Sequence, residues 1–495
     1  MRRILPVLLC LIFIGISYAS AVSESLTYDE IVDREEGENA LLDHTFAIDP
    51  YNPPLIKELT ALPFILGLPD ALGLERLRDT FLPARMVVTL LGSILLTVCY
   101  FVANKYFGLL PALLSTFLFA FEPTLLGHSH YVTLDTGTAL FFFLSYVTFL
   151  SVCQSPRVRN FLLHGVFLGL SMGARISVLA YSLFIFPSAV VFAVRKGRRF
   201  LFGRRYLVAA LPVGFFVLWS LYFFTPDVVL VKHDDPARVS NQLLMYGRKL
   251  KVPVVETLIV GMQNRVIPLG NYIQKLKNNT IRATRPGPVF FWGSWYPESQ
   301  WYFMIWNMVA KTPLPLLFLF LVGTYEGFHT SKTRRATVLF LLPFLAILLV
   351  SSGSAMNPQV RYVLPAYPFM LMIASIGLRW VFRKSKVLFV CILLWYSIGT
   401  LRQFPHFISY ANELIPRNER YTFFTDSNID WGQALPDLGR YAKENLGQIS
   451  AVSYFGRDDG GDYGLSSDVP YGSYKFEDIC AFHPLIDSIP ADVSE

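Results

Sequence analysis

The sequence predicts an all-α polytopic membrane protein with about eleven transmembrane helices and a small extracytoplasmic α/β segment at its C-terminus. Hydrophobic residues make up 53% of the 495 residues and charged residues only 16%, which is too apolar for an ordinary soluble enzyme. Apolar runs close to the ~20 residues that cross a ~30 Å hydrocarbon core recur along the chain. The loops between these runs alternate in their content of lysine and arginine, as loops on opposite sides of a membrane do.

The predicted spans occupy most of the first 404 residues. They cover residues 4–22, 82–103, 107–126, 136–153, 160–174, 176–194, 206–224, 302–324, 336–352, 361–380 and 386–404. The first run could also be a cleaved signal peptide, because two arginines precede it and it ends in the small residues Ala19, Ser20 and Ala21. In either case the next segment, residues 23–81, lies outside.

Basic residues in the short loops, such as 195–205, predict an N-terminus on the inner side of the membrane. The net charge of +7 and the pI of about 9.0 therefore reflect topology, and no nucleic-acid partner is predicted. Two large loops, 23–81 and 225–301, are left outside. We accordingly divide the chain into a transmembrane domain, residues 1–404, and an extracytoplasmic α/β segment, residues 405–495.

Four cations lie where basic residues are disfavoured, in the outer half of the predicted membrane: Arg85, Arg175, Lys311 and Arg361. An ionisable group at a helix centre costs roughly 2.5–3.5 kcal/mol. Any one of these side chains could extend its charge to the nearer interface. As a group, opposite a loop rich in carboxylates, they favour an anionic headgroup, because arginine offers bidentate contacts to phosphate oxygens. We therefore expect a lipid-linked phosphate and membrane lipids as partners.

The outer loop 23–81 carries an adjacent acidic pair, Asp29 and Glu30, close to the predicted membrane surface. Partial burial can raise the pKa of a carboxylate there, so that it can take a proton from an attacking hydroxyl or amine. This makes the pair a candidate for general-base catalysis. The alternative is an acidic pair at a helix start, where the helix dipole favours negative charge. The neighbouring carboxylates are expected to form a solvated face: Asp33, Glu35, Glu36, Glu38, Asp43 and Asp49.

A second outer junction, between the third and fourth predicted spans, carries His128, His130 and Asp135. Two histidines at this spacing are a weak signal for a metal, and we favour polar lining or orientation of a reacting group instead. Asp135 could cap the helix that follows it. Residues 56–68 form an amphipathic stretch that is too short to span, so we expect it along the interface.

The C-terminal segment shows the alternation of a small α/β unit. Residues 421–425 and 449–455 are strand-like, and residues 433–446 are helix-like. Residues 426–433 are rich in turn formers and helix caps, so a structural role is expected as much as acceptor contact. The five cysteines suggest neither a disulfide framework nor a metal cluster. No cofactor is therefore predicted, although the outer carboxylates could hold a divalent cation through their oxygens.

Several sequence blocks, taken in order, resemble a known family. The blocks are Tyr28-Asp29-Glu30, Asn52-Pro53-Pro54-Leu55, Glu122-Pro123-Thr124 with His128, Thr133-Leu134-Asp135, Lys311-Thr312-Pro313-Leu314, Arg361-Tyr362-Val363-Leu364-Pro365 and Asp426-Ser427-Asn428-Ile429-Asp430-Trp431-Gly432-Gln433. This series resembles phospholipid-carrier-dependent glycosyltransferases of structural class C, the family-39 type related to protein O-mannosyltransferases and aminoarabinose lipid A transferases. The resemblance covers nearly the whole chain and depends on the order of the blocks, since none suffices alone.

The resemblance implies a class C fold, an uncleaved first span and Asp29 as the catalytic carboxylate, with Asp135 as a second acid. Together with the misplaced cations it gives these expected site residues: catalytic Asp29, Glu30 and Asp135; phosphate-binding Arg361, Lys311 and Arg175; and substrate-lining His128, His130 and Tyr362. Two positions depart from the family pattern. Asn52 replaces the usual histidine, which weakens a substrate contact there, whereas Arg175 replaces a frequent lysine and keeps the charge.

The predicted function is that of an inverting membrane glycosyltransferase that moves a sugar from a polyprenyl-phosphate donor to a protein, lipid or glycan acceptor outside the cell membrane. The sequence has no Walker-type phosphate loop, and a lipid-phosphate donor needs none. A transporter or flippase of lipid-linked sugars is the alternative, but it predicts charges near the bilayer midplane and repeat symmetry. A non-enzymatic partner in polysaccharide assembly would leave the Asp29-Glu30 pair without a purpose.

Overall fold

The computed structural model describes residues 4–193, 205–228, 265–444, 452–454, 456–465 and 471–473. The helices of the N-terminal part are α1 (Ile4–Ala21), α2 (Tyr28–Asp43), α3 (Leu55–Ile65), α4 (Leu68–Ala71), α5 (Leu77–Thr80), α6 (Leu82–Phe107), α7 (Leu109–Ala120), α8 (Pro123–His128), α9 (Leu134–Gln154), α10 (Val158–Ala174) and α11 (Ser177–Ala193). A π-helical turn, Tyr206–Ala210, leads into α12 (Leu211–Ser220). The helices that follow are α13 (Gly270–Thr284), α14 (Trp301–Lys311), α15 (Leu314–His329), α16 (Ser331–Ser352), α17 (Tyr367–Lys384), α18 (Lys386–Leu401), α19 (Arg420–Phe423) and α20 (Leu435–Glu444).

Short 3-10 segments and three two-stranded sheets complete the described architecture. The 3-10 segments are Val360–Ala366, Phe407–Ser409, Arg417–Glu419, Asp426–Asn428 and Gly460–Tyr463. The antiparallel sheets pair β1 (Pro226–Val228) with β2 (Val266–Pro268) and β3 (Val289–Phe291) with β4 (Ser294–Tyr296). A parallel sheet pairs β5 (Val452–Tyr454) with β6 (Tyr471–Ser473).

Five helical segments are long and apolar enough to cross a membrane: α1, α6, α9, α16 and the stretch Val360–Lys384 that contains α17. Other predicted spans form shorter apolar helices. The 12-residue helix α7, for example, rises only ~18 Å and is shorter than the hydrocarbon core. The described residues therefore contain five spans by length and composition, or six if α14 and α15 count as one, and the predicted count of eleven is not confirmed. The protein is a multi-pass membrane protein.

The predicted span 302–324 is broken into α14 and α15, which meet at an angle of 110°. The break falls at Thr312, whose backbone is extended (ψ 131°) because it precedes Pro313. Proline also lacks the N–H that would continue the helix. As a result Lys311 ends a helix at the break, where its side chain reaches the C-terminal segment.

The core of the transmembrane domain is built around α17, whose residues are buried almost throughout. Helix α15 packs closely against it, and two glycines permit this approach. A Cβ on Gly323 or Gly377 would collide with the backbone of the facing helix. Small residues at such contacts let helix backbones approach in membranes, where van der Waals packing drives association. Helix α1 also joins the core, since Phe13 is fully buried and contacts Phe119 at 5.7 Å between ring centroids.

The segment 23–81, which was expected to lie outside, is folded, with α2 and α3 packed on each other and α3 packed on the transmembrane helices. The amphipathic stretch 56–68 was expected along the interface. In the structure it forms α3 and the start of α4, and Leu55, Ile56 and Lys57 are buried between neighbouring helices. One side of the stretch therefore packs against protein, whereas Leu62, Ile65, Leu66 and Leu68 are 38–68% exposed, so its place along the interface stays a prediction.

The C-terminal segment agrees only in part with its predicted α/β unit. Helix α20 lies within the predicted helix, and β5 lies within the predicted strand 449–455. The predicted strand 421–425 is wrong, because its first residues belong to the short helix α19. The Arg420 side chain holds that helix start by donating to the carbonyls of Ser409 and Ala411. Parts of the predicted loops and of the strand, residues 195–204, 229–264 and 449–451, lie outside the described residues.

Candidate active site

A cavity of about 730 Å³ opens where α2, α13, the start of α9, the turn between α10 and α11, the end of α16 and the segment Val360–Ala366 meet. Five of the predicted site residues line it: Asp29, Asp135, Arg175, Arg361 and Tyr362. The other four lie outside its lining: Glu30, Lys311, His128 and His130. The structure therefore brings together two acids, two arginines and a tyrosine of the predicted site, and the other four residues lie away from the cavity.

Asp29 lies in the first turn of α2, next to the cavity. Its Oδ2 accepts a hydrogen bond from Arg361 Nη1 at 2.9 Å. The Asp29 side chain is 36% exposed, whereas the Arg361 side chain is 13% exposed. The carboxylate is thus paired with a cation and still reachable by a ligand. Asp29 and Arg361 are 332 residues apart in sequence, and the fold brings them into contact.

Asp135 and Arg175 form a second acid–arginine pair on the same cavity. Helix α9 begins at Leu134 with Thr133 in the N-cap position, so Asp135 is not the cap. Its carboxylate, 1% exposed, accepts from Arg175 Nη1. Arg175 follows the last residue of α10 in an extended conformation, which directs its side chain across to α9.

Aromatic rings hold both arginines. The Tyr362 ring centroid lies 5.0 Å from the Arg175 guanidinium and 5.6 Å from that of Arg361. Arg361 also lies 4.3 Å from the ring centroid of Trp431, a residue of the C-terminal segment. Guanidinium groups are attracted to aromatic faces. Two positive charges are thereby kept on one wall of the cavity, the arrangement that binds phosphate oxygens well.

Glu30, although adjacent to Asp29, has a different environment. Its carboxylate accepts two hydrogen bonds from Arg85, at 2.9 and 2.8 Å, and both side chains are buried. It also accepts from the backbone N–H groups of Thr27, at 2.8 Å, and Val132, at 3.0 Å. The first of these bonds completes a capping box at the start of α2. Glu30 thus has the helix-start role that was the alternative for the acidic pair, and we revise its predicted catalytic role because it cannot reach the cavity.

Lys311 is buried against the C-terminal segment instead of the cavity. Its Nζ donates to the carbonyl oxygens of Ile408, at 2.8 Å, and Asn428. The ammonium group also lies 4.6 Å from the ring centroid of Phe424. Its donors are used by the protein itself, so we revise its predicted role from phosphate binding to attachment of the C-terminal segment.

The two histidines are fully or nearly fully buried behind the site. His130 Nε2 lies 2.8 Å from Glu24 Oε2, which also accepts from the Tyr131 hydroxyl at 2.5 Å. His128 packs edge-on against Trp431, with ring centroids 6.2 Å apart, and burial lowers the pKa of His128 to about 4. His128 therefore packs against the ring that contacts Arg361, whereas His130 binds Glu24, and neither histidine lines the cavity. Within the described residues, no group of three or more His, Cys, Asp or Glu side chains could hold a metal ion.

The carboxylates expected on a solvated face are in part buried. Asp33 and Glu36 are buried, whereas Glu35 and Asp43 are exposed as expected. Lys57, also fully buried, pairs with Asp49 at 2.6 Å and with Asp33 at 3.6 Å. Burial alone would raise the pKa of Asp49, but the Lys57 charge and hydrogen bonds lower it to about 2. Burial raises the pKa of Asp33 well above its usual value, and the Lys57 charge offsets this only in part.

Contacts from the C-terminal segment to Arg361 were missed by the sequence interpretation. Gln359 Oε1 accepts from Arg361 Nε at 2.6 Å, and Gln359 Nε2 donates to Asp426 Oδ2. The block 426–433 was recognised as a distinctive motif, but its partners lie far away in sequence. Its density of turn formers and its single buried tryptophan were the available signals.

Comparison with known proteins supports the motif interpretation. Residues 70–231 match the family model described as dolichyl-phosphate-mannose-protein mannosyltransferase. This region includes Asp135 and Arg175 but neither Asp29 nor Arg361. A search of curated proteins gives no match.

Solved structures share the fold at low sequence identity. ArnT from Cupriavidus metallidurans bound to undecaprenyl phosphate is 14% identical, with a TM-score of 0.55 over 89% of this chain and 72% of that chain. The S. cerevisiae protein O-mannosyltransferase Pmt1-Pmt2 complex bound to the sugar donor is 12% identical, with a TM-score of 0.57 over 97% of this chain and 94% of that chain. The resemblance inferred from the order of the sequence blocks is confirmed: the chain has the class C fold of these transferases and resembles the protein O-mannosyltransferases.

Proposed function

We propose that this protein is an inverting glycosyltransferase that moves a sugar from a polyprenyl-phosphate donor to an acceptor on the outer face of a cell membrane. The observation that supports this proposal most directly is one cavity that is lined by an accessible carboxylate, Asp29, and by two arginines, Arg361 and Arg175. The family match at residues 70–231 and the shared fold support a glycosyltransferase.

Asp29 is the proposed general base. Its carboxylate lines the cavity and is 36% exposed, so an acceptor hydroxyl or amine can approach it. The hydrogen bond from Arg361 orients one oxygen, Oδ2, and leaves Oδ1 available to an incoming ligand. A base must come within hydrogen-bond reach of the proton that it accepts. Removal of that proton makes the acceptor atom a stronger nucleophile.

Arg361 and Arg175 are the proposed ligands of the leaving phosphate. As the acceptor attacks the anomeric carbon, the bond from that carbon to the phosphate oxygen breaks, and the oxygen keeps the electron pair. Negative charge then grows on the lipid phosphate, where fixed donors stabilise it. The acceptor proton goes to Asp29, and attack opposite to the leaving group inverts the anomeric centre. Asp135 holds Arg175 in place for this step.

The lining of the cavity suits a lipid-linked donor and a polar acceptor. Part of the lining is apolar and includes Leu179 and Leu183 of α11, of which Leu183 is 66% exposed. A cavity beside an exposed apolar side chain would admit a polyprenyl chain from the bilayer. Another part is polar and includes Asn279, Thr280 and Thr284 of α13, which offer hydrogen bonds to an acceptor or a sugar.

The test uses purified protein with radiolabelled polyprenyl-phosphate mannose and related polyprenyl-phosphate sugars, with a total membrane extract as the acceptor source. Wild-type protein is expected to release free polyprenyl phosphate and transfer the label. Asp29→Asn is expected to slow both by about 100-fold or more, which is the contribution of a general base. Asp43→Asn, the same change at the exposed end of α2, serves as the matched control and should behave as wild type.

Two results would contradict the proposal. If Asp29→Asn released lipid phosphate at the wild-type rate, Asp29 would not be the base. If wild-type protein consumed none of the donors but moved labelled lipid across vesicle membranes, the protein would be a transporter of lipid-linked sugars.

A further inference from the structure

We propose that residues 426–433 of the C-terminal segment, here called the tail clamp, position Arg361 against Asp29 and so complete the active site from outside the transmembrane domain. This inference rests on the proposed function, because it assigns positioning residues to that reaction. The tail clamp itself does not line the cavity. Its hydrogen bonds attach it both to the segment that carries Arg361 and to the chain just before Asp29.

The first set fixes the backbone that carries Arg361. Asn428 Oδ1 accepts from the Val360 N–H at 2.9 Å, and Asn428 Nδ2 donates to the Pro358 carbonyl at 3.0 Å. One amide side chain therefore binds the backbone carbonyl before residue 359 and the backbone N–H after it. Asn428 is 3% exposed, so these bonds are protected from water. The turn that begins the 3-10 segment Val360–Ala366 is thus held from the C-terminal side of the chain.

The second set fixes the guanidinium group itself. Arg361 Nε donates to Gln359 Oε1 at 2.6 Å, and Gln359 Nε2 donates to Asp426 Oδ2. An amide can satisfy both neighbours only in one orientation, because its oxygen must face the arginine and its nitrogen the aspartate. The Trp431 ring, 4.3 Å from the guanidinium, restricts the remaining rotation of the group. Arg361 Nη1 is then directed at Asp29.

The third set holds the start of α2, next to Asp29. The Tyr28 N–H donates to the Trp431 carbonyl at 2.9 Å, and the Ser25 N–H donates to the Gln433 carbonyl at 3.1 Å. The Ser25 hydroxyl also donates to the Gly432 carbonyl at 2.8 Å. The same eight-residue segment therefore attaches both the loop of Arg361 and the helix of Asp29, so the distance between them depends on it.

The backbone of the tail clamp is itself held in an uncommon conformation. Asp426 has φ 54°, in the left-handed region that residues with a side chain rarely adopt, and Gly432 has φ 98°. Asp426 Oδ1 accepts from the Ser427 N–H at 2.5 Å, which supports the local turn. Residues held in such conformations cluster at functional sites, because the surrounding structure must specify them.

The polarity of Gln359 gives a specific test. In Gln359→Glu, two carboxylates face each other at positions 359 and 426, so the glutamate is pushed away and Arg361 loses its orientation. In the double variant Gln359→Glu with Asp426→Asn, an amide nitrogen again faces a carboxylate oxygen, and the chain of hydrogen bonds to Arg361 can form with reversed polarity. In Asp426→Asn alone, one amide oxygen replaces the two carboxylate oxygens that accept from Gln359 and from the Ser427 N–H, so one of these two bonds is lost.

Binding of undecaprenyl phosphate, a sugar-free lipid phosphate, to detergent-purified full-length protein measures the outcome. Gln359→Glu is expected to weaken binding by about ten-fold or more, as loss of a hydrogen bond to a charged group does. The double variant is expected to bind within about three-fold of wild type, and Asp426→Asn alone is expected to bind more weakly than the double variant. Thermal midpoints should change little across the series, since the changes are local to the Arg361 contacts. A general loss of packing would instead lower the midpoint together with the affinity.

Two parallel variants make the failures distinguishable. Arg361→Ala should weaken binding; if it does not, the proposed phosphate site is wrong. If Arg361→Ala weakens binding and Gln359→Glu does not, or if the double variant stays as weak as Gln359→Glu, the tail clamp proposal is overturned. Asp462→Asn, the same type of change at an exposed position of the C-terminal segment beyond the tail clamp, is the matched control and should bind as wild type.

Discussion

Two neighbouring carboxylates, Asp29 and Glu30, each pair with an arginine, yet their surroundings are opposite. The Asp29–Arg361 pair lines a cavity, and the carboxylate is 36% exposed. The Glu30–Arg85 pair is buried, with 0% and 1% side-chain exposure, and its oxygens accept four bonds from Arg85 and backbone N–H groups. Residues adjacent on a helix point about 100° apart, so one faces the cavity and the other the interior. A carboxylate–arginine pair is thus proposed to take part in the reaction at Asp29, whereas the pair at Glu30 stabilises the fold.

The largest expected effect lies at the buried pair. Glu30→Gln leaves the Arg85 guanidinium without its counter-charge in a dry site, and breaking such a pair costs about 3–5 kcal/mol of stability. The expected result is a lower yield in membranes and a markedly lower thermal midpoint in detergent. Glu35→Gln, the same change at an exposed position of α2, should leave the midpoint unchanged. A Glu30→Gln protein with the wild-type midpoint would contradict the assignment of a structural role.

The arginines provide the second contrast, with a smaller effect. Arg361→Lys keeps the charge but loses the planar fork that contacts Gln359 and Asp29 together, so we expect donor turnover to fall about ten-fold with the fold intact. Arg85→Lys loses bonds to the carbonyls of Ala21 and Ser25, and we expect it to lower the thermal midpoint first. Turnover and midpoint measured on both variants test this division. Equal losses of turnover and of thermal midpoint in the two variants would contradict the assignment of Arg361 to the reaction and Arg85 to the fold.

A third, smaller effect concerns pH at the contact between the C-terminal segment and the transmembrane domain. Burial alone would lower the pKa of His406, but hydrogen bonds and charges from Glu24 and Asp437 raise it above its ordinary value of 6.5. This contact therefore adds stability that is fully present below pH 6.5 and is lost as the pH rises through the raised pKa.

His406→Gln removes this pH dependence. We expect the wild-type protein to be more stable than His406→Gln by about 1 kcal/mol at pH 6, and the difference to shrink toward pH 9. Thermal midpoints of both proteins across this range measure it. His329→Gln, at an exposed histidine of α15, is the control. A difference that grows with pH would have the wrong sign for a histidine stabilised in its charged form.

The sequence could predict part of the candidate site. Charge position and block order selected Asp29, Asp135, Arg175 and Arg361, which line the cavity, but also Lys311, which does not. The resemblance implied that Asp29 is the catalytic carboxylate. The residues alone could not separate Asp29 from Glu30, because the direction of a helix face becomes visible only when α2 is packed.

Long-range partners account for most of what the sequence could not provide. The bonds between Gln359 and Asp426, 67 residues apart, follow from the docking of the C-terminal segment. Asp33, which is buried, and Asp49, which is half-buried, both pair with Lys57, whose position within the packed body was not evident from an amphipathic pattern. The helix break at Thr312-Pro313 was present in the sequence as a proline, but the apolar run around it favoured one span.

The central claim, that Asp29 serves the reaction and Glu30 serves the fold, is tested most directly by one paired measurement. Release of lipid phosphate from a polyprenyl-phosphate sugar donor is measured per mole of folded protein for Asp29→Asn and Glu30→Gln, together with the thermal midpoint of each. Asp29→Asn should lose about 100-fold or more in rate at a nearly unchanged midpoint. Glu30→Gln should lose stability, and the molecules that remain folded should keep most of their rate. The reverse pattern, with Asp29→Asn active and folded Glu30→Gln inactive, would contradict the account.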